Sequence, residues 1–379
     1  AMDRWVTEVQ NGTITWGTAF NDQEDLPEKK LVEDADSHVQ SATASGARSL
    51  GTVTPRNLDT ALRGALERLQ RALAQEGYEN IDAYVMAEMG WSQAELYQRL
   101  GAEQIDRVAL SIYNFKQGKG FVLADQTGVG KGRVVATLIQ WTHKQPNLTP
   151  VFVTEKPDLY KDMFRDLYDT GGNGIVPYIT NDIVSVELPE KDKDGVARRH
   201  MVERDKASRE REYEHAKKHG KLSSKYDAVF TTYAQLGLTQ GKTVKSRHGL
   251  LKHMLLPDPS RSEQDRHNNL VFILDEVHNM SGQEAKDKDS VPEPLKNANP
   301  ETEQKISEAA WLKDAVDHSA AALYSSATFA KNPHALKVFT KTDLPLVFGN
   351  MDKLIELVKA GGQPIEQFIT IQLAHAGQM

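Results

Sequence analysis

From residue 118 onward, short apolar runs alternate with stretches whose apolar positions recur every three or four residues. The runs lie at 121–124, 150–154, 175–179, 228–231, 270–274 and 321–325. Apolar runs of this length, with little polar alternation, are strands buried on both faces. The stretches between them predict helices at 131–143, 157–169, 244–254 and 305–319. Strand and helix in alternation predict an α/β fold, a parallel sheet covered by helices on both sides.

Before residue 118 the pattern is helical. Leu58, Ala61, Leu62, Ala65, Leu66, Leu69 and Leu73 share one helical face. Thr54-Pro55 supplies a helix start, and further short helices are predicted at 81–89, 92–100 and 102–115. An all-α extension over 57–117 therefore precedes the alternating α/β pattern over 118–332. Residues 1–56 are weakly patterned, acidic between Asp22 and Asp36 and rich in small residues at 41–46. They read as a poorly packed arm or an extended wrap, partly disordered, with a solvated linker as the plainer alternative. Residues 182–224 interrupt the alternation with charges of both signs, which predicts a solvated helix inserted at the sheet edge. Arg198, Arg199, Lys217 and Lys218 are its candidate nucleic-acid contacts. Residues 282–304 read as a polar loop, and 333–379 as helices.

Composition narrows the classes. The 379 residues are 39% hydrophobic and 26% charged, as in soluble globular proteins. No stretch approaches the roughly 18 apolar residues of a membrane span, and the N-terminus lacks a signal pattern, so no membrane partner is expected. With no cysteine, thiolate metal sites, disulfides and cysteine nucleophiles are excluded; a cytoplasmic location fits. The net charge of −7 argues against coating nucleic acid through bulk charge, while a local basic groove stays open. Ala1 before Met2 reads as a cloning remnant, so the chain is expected to be part of a longer polypeptide.

Three segments carry chemistry. The first is Ala124-Asp-Gln-Thr127-Gly128-Val129-Gly130-Lys131-Gly132-Arg133, which follows a buried strand and opens a helix. That context is the one a phosphate-binding loop requires: glycines turn backbone N–H groups toward the phosphates, the helix N-terminus adds positive potential, and Lys131 reaches the β- and γ-phosphates of ATP. Gly132 departs from the pattern, since Ser or Thr there normally ligates Mg²⁺. The second is the strand ending in Asp275-Glu276-Val277-His278. Asp275 suits Mg²⁺ held through water, and Glu276 suits polarising the attacking water. The third, Tyr324-Ser325-Ser326-Ala327-Thr328, is weak alone and gains meaning from its order after the other two.

Together the three resemble the ordered motifs of superfamily 2 helicases and translocases, over about residues 100 to 330. The chain is most similar to the strawberry notch-like helicases, including phage- and plasmid-encoded relatives often fused to DNA methyltransferases. The resemblance implies a RecA-like P-loop lobe and a DNA-dependent ATP hydrolase, with RNA as the alternative track. It also implies that Gly132 and Arg133 are family traits. It assigns adenine reading to Gln104, coupling to His278, Ser326, Ala327 and Thr328, and nucleic-acid contact to Lys156, Thr231, Thr232 and Tyr233. Such motors need a second RecA-like lobe with an arginine finger. Only about 50 residues follow Thr328, so the finger is expected elsewhere in a larger polypeptide and the isolated chain is expected to turn over slowly. A bacterial host cytoplasm, or carriage in a phage particle, is what such relatives suggest. Two other readings stay open: a nucleotide-sensing scaffold acting through protein contacts, and a kinase-like P-loop enzyme, which the Asp-Glu-Val-His box disfavours.

Overall fold

A computed structural model describes residues 38–124, 130–181, 183–191, 193, 195, 197–203, 206–236, 250–251, 269–279, 308–326 and 333–379. Strands β1 (His38–Gln40) and β2 (Val53–Pro55) pair antiparallel. Four helices follow: α1 (Arg56–Gln75), α2 (Ile81–Met89), α3 (Gln93–Arg99) and α4 (Ala102–Lys116). Local chemistry sets their ends. The Asn80 side chain accepts from Ala83 N at 2.8 Å to open α2, and Ser92 with Glu95 forms a reciprocal capping box for α3. The apolar face of α1 predicted from spacing is the face it buries.

The next elements are β3 (Gly120–Leu123), α5 (Lys131–Lys144), β4 (Thr149–Thr154), a 3₁₀ turn (Pro157–Leu159), α6 (Tyr160–Asp169) and β5 (Pro177–Ile179). After an excursion through β6 (Ile183–Lys191), β7 (Ala197–Glu203) and α7 (Lys206–His219) come β8 (Ala228–Thr232), α8 (Tyr233–Leu236) and β9 (Leu270–Asp275). The chain closes with α9 (Glu308–Asp317), β10 (Ala321–Ser325), a 3₁₀ segment (Pro333–Lys341), α10 (Leu344–Phe348), α11 (Met351–Gly361) and α12 (Gln363–His375).

The six strands expected from the apolar runs form one sheet in the order β3-β10-β9-β4-β8-β5, with every pairing parallel. Side chains alternate between two cores. Leu270, Phe272 and Leu274 of β9 join the C-terminal helices and the start of α1, while Val271 and Ile273 join α2 to α6. Burial on both faces is why these strands carry no polar alternation. This is the RecA-like α/β arrangement expected.

Two expectations change. The excursion at 183–219 is not a single inserted helix: β6 and β7 form an antiparallel ribbon ahead of α7. Residues 41–52 follow the wrap rather than the poorly packed arm. Asp59 accepts from Ala42 N, Asp106 from Ala44 N and Ser45 N, Asp82 from Gly46 N and Glu103 from Leu50 N. The helix expected at 244–254 falls mostly, and the loop at 282–304 and residues 1–37 wholly, outside the described residues. No helix among the described residues is long and apolar enough to cross a membrane.

Candidate nucleotide site at the strand ends

The site is assembled by register. Ser325 is the partner of both Leu123 and Asp275 across three adjacent strands. The strand leading to the glycine-rich loop and the strand ending in the carboxylates therefore finish level, one strand apart. Ser326 N donates to Leu123 O at 3.1 Å, which ties the third segment to the first.

Gly130 caps α5 at φ +75°, a left-handed conformation that costs glycine nothing. A Cβ there would lie 2.3 Å from Gln104 Nε2 and would push that amide off the Gly130 carbonyl. Lys131 starts the helix. Its Nζ is buried without a hydrogen-bond partner. A buried ammonium left unpaired is costly, and here it sits at a helix N-terminus, where anions are favoured. That orphaned cation fits a phosphate. Thr127, Gly128 and Val129 lie outside the described residues.

Asp275 closes β9. Burial, with the neighbouring Glu276 charge adding to it, raises its carboxyl to about 6, against the Ser325 hydrogen bond and the Lys131 charge. Ser325 Oγ donates to Asp275 Oδ1 at 3.2 Å. Such a carboxylate fits one ligand position for Mg²⁺, and water must supply others, since Gly132 has no side-chain oxygen. Glu276 holds φ +48°, a conformation non-glycine residues rarely adopt outside constrained sites. Its Oε2 is 3.2 Å from His278 Nδ1, which lies 2.7 Å from Ser326 Oγ. Ala327 and Thr328 lie outside the described residues.

The remaining expected residues make contacts within the protein or lie at its surface. Gln104 uses both ends of its amide within the protein, accepting from Gly101 N at 2.9 Å and donating to Gly130 O at 3.1 Å. Arg133 pairs with Asp169 at 3.2 Å and reaches the Arg99 carbonyl. Lys156 is exposed beside Glu155. Thr231, Thr232 and Tyr233 are buried; Thr231 shares a hydroxyl bond with Thr180 at 2.8 Å, and the Tyr233 hydroxyl donates to the Asp275 carbonyl at 3.1 Å. Sequence reasoning missed Ser325 as a partner of Asp275, although it stood in the third segment. It also missed Asp166, whose Oδ2 would lie 1.8 Å from a Cβ on Gly132; nothing in the sequence links those two positions.

A family model described as P-loop containing NTP hydrolase pore-1 matches residues 77–379. The chain belongs to that family. The match begins within the helical region and takes in the loop, the carboxylate strand and the C-terminal helices, so the family assignment covers the whole assembled site. Two solved structures are similar to it in part. The SWI2/SNF2 ATPase core domain of Sulfolobus solfataricus aligns over 72% of this chain at 15% identity and a TM-score of 0.37. The Sulfolobus solfataricus SWI2/SNF2 ATPase core in complex with dsDNA aligns over 71% at 18% identity, also with a TM-score of 0.37. The chain spans 42% of the length of each. A comparison with curated proteins returns no match.

Proposed function

We propose that this P-loop NTP hydrolase binds and hydrolyses ATP with Mg²⁺ as the nucleotide lobe of a superfamily 2 DNA helicase or translocase, of the strawberry notch-like type. The observation that carries the reading is Lys131 Nζ, buried, unpartnered and at the N-terminus of α5, within electrostatic reach of the Asp275 carboxylate. Lys131 holds the β- and γ-phosphates. Glu276, steadied by His278, orients the attacking water and takes its proton as the oxygen–phosphorus bond forms and the β–γ bridge breaks. Asp275, fixed by Ser325, holds the metal; Mg²⁺ when bound neutralises charge developing on the phosphates. A second RecA-like lobe supplies the arginine finger, and Lys156 with the main chain at the ends of β4 and β8 faces the DNA backbone, where contacts position without reading sequence.

Titrating labelled Mg·ATP into the chain and into K131A tests this. Binding by the wild type and at least about a hundredfold weaker binding by K131A is expected, the scale of losing a charge-assisted contact to phosphate. Equal binding by both would remove Lys131 from the site and the reading with it. Gly132 favours a second reading, a nucleotide sensor acting through protein contacts, because the metal loses a customary ligand. E276Q separates the two: a sensor keeps its biological activity in that variant and a motor loses it.

A further inference from the structure

A row of hydroxyl contacts crosses the C-terminal edge of the sheet. It runs from Thr180 to Thr231, from Tyr233 to Asp275, from Ser325 back to Asp275, and from Ser326 to His278. One member of the row skips a strand. β8 and β9 are not neighbours, because β4 lies between them. Tyr233, at the end of β8, spans that gap and donates its hydroxyl to the main-chain carbonyl of Asp275. Tyr233 is 4% exposed, and its hydroxyl serves the interior through this bond.

The carbonyl it holds belongs to the peptide between Asp275 and Glu276, the one that carries the chain into the left-handed conformation at Glu276. The strain of that conformation and the worth of one buried hydrogen bond are of the same order. A single bond at this carbonyl is therefore enough to decide which way the peptide turns, and with it where the Glu276 carboxylate meets His278. We propose that Tyr233 is a positioning residue: it sets the 275–276 peptide, and through it Glu276, according to the state of the β8 end. Displacement of residues 231–233 is transmitted to the water-orienting carboxylate without passing through β4. This rests on the proposed role of Glu276 in hydrolysis.

Y233F removes the hydroxyl alone. Single-turnover and steady-state hydrolysis of Mg·ATP would be measured for the wild type, Y233F, E276Q and the double variant, with hydrogen exchange across residues 270–279 of the nucleotide-free chain. T170V, which removes a buried hydroxyl bonded to Gln140 on the far part of α5, is the stability control. Y233F is expected to keep KM for ATP within about twofold and to lower kcat about tenfold, the effect of one buried hydrogen bond felt at the transition state. Exchange at residues 276–278 rises, adding Y233F to E276Q lowers kcat no further, and T170V leaves kcat and that exchange unchanged. Wild-type kcat in Y233F, losses that multiply in the double variant, or unchanged exchange would each overturn the proposal. A wild type that does not turn over ATP overturns the hydrolytic reading separately, and the exchange comparison then decides the backbone role alone.

Discussion

Gly132 stands where the phosphate-loop pattern has Ser or Thr, and the structure gives a steric reason. The Asp166 carboxylate from α6 occupies the space a side chain at 132 would need. Burial, ahead of the neighbouring charges, raises the Asp166 carboxyl, and it pairs at 3.4 Å with the exposed Arg165, a contact that contributes little to stability. G132S forces the Asp166 carboxylate to swing aside, so it is expected to destabilise the chain by about 1 kcal/mol, the low end of overpacking, and to weaken ATP binding by crowding the first turn of α5. Adding D166A removes the obstruction and restores both. Urea unfolding and ATP titration of the two single variants and the double check this; a double variant no better than G132S would show that Asp166 is not the cause. Gly132 was legible in the sequence as a departure from the loop pattern. Its cause was not, because helix-to-helix contact between α5 and α6 leaves no local signature.

At the scale of elements, the segment at 41–52 shows how a wrap hides in sequence. Its small, polar residues read equally as a linker, since the bonds that hold it are made by its main-chain N–H groups and any residue type supplies those. The signal lay instead in the acids facing it, Asp59, Asp82, Glu103 and Asp106, which look like ordinary polar positions on helices. Asp106 is fully buried. Burial raises its carboxyl to about 7, against the N–H groups of Ala44 and Ser45 and the Arg107 charge. A folded-state value above the unfolded one means that the folded chain holds the proton more tightly. Its contribution is thus fully present below about pH 4 and is lost as pH rises toward 7, by on the order of 1 kcal/mol per pH unit. D106N, which does not ionise, is expected to flatten that slope between pH 4 and 7 in unfolding measurements. An unchanged slope would mean that another group carries it. The β6–β7 ribbon was equally hidden, because dense charge of both signs masks strand alternation.

For the molecule as a whole, the six apolar runs made the sheet legible because each strand is buried twice. The strand order and the packing of the tail were not, since both depend on contacts between distant segments. The tail bears on the site. β3 leads to the phosphate loop yet stands at the edge of the sheet, with β10 as its strand neighbour. Its other side is held by the chain's last residues: Val122 N donates to Gln378 O at 2.7 Å, and Asn114 Nδ2, on the helix before it, donates to Gly377 O at 2.8 Å. Gln378 is fully buried, and its Oε1 accepts from Asp343 N at 2.8 Å. Removing residues 377–379 takes the partner from Val122 N and Asp343 N and leaves Asn114 Nδ2 with its bond to Leu110 O alone. At about 1–3 kcal/mol for each buried group left unsatisfied, the loss is a large part of a typical folding free energy. A loop hung on a half-supported strand also loses preorganisation, so ATP affinity is expected to fall about tenfold even where the truncated chain stays folded, a penalty of the size one such bond carries. Nucleotide titration below the unfolding midpoint, beside a urea curve, separates the two effects. Full affinity in a destabilised truncation would show that β10 alone holds the loop in place.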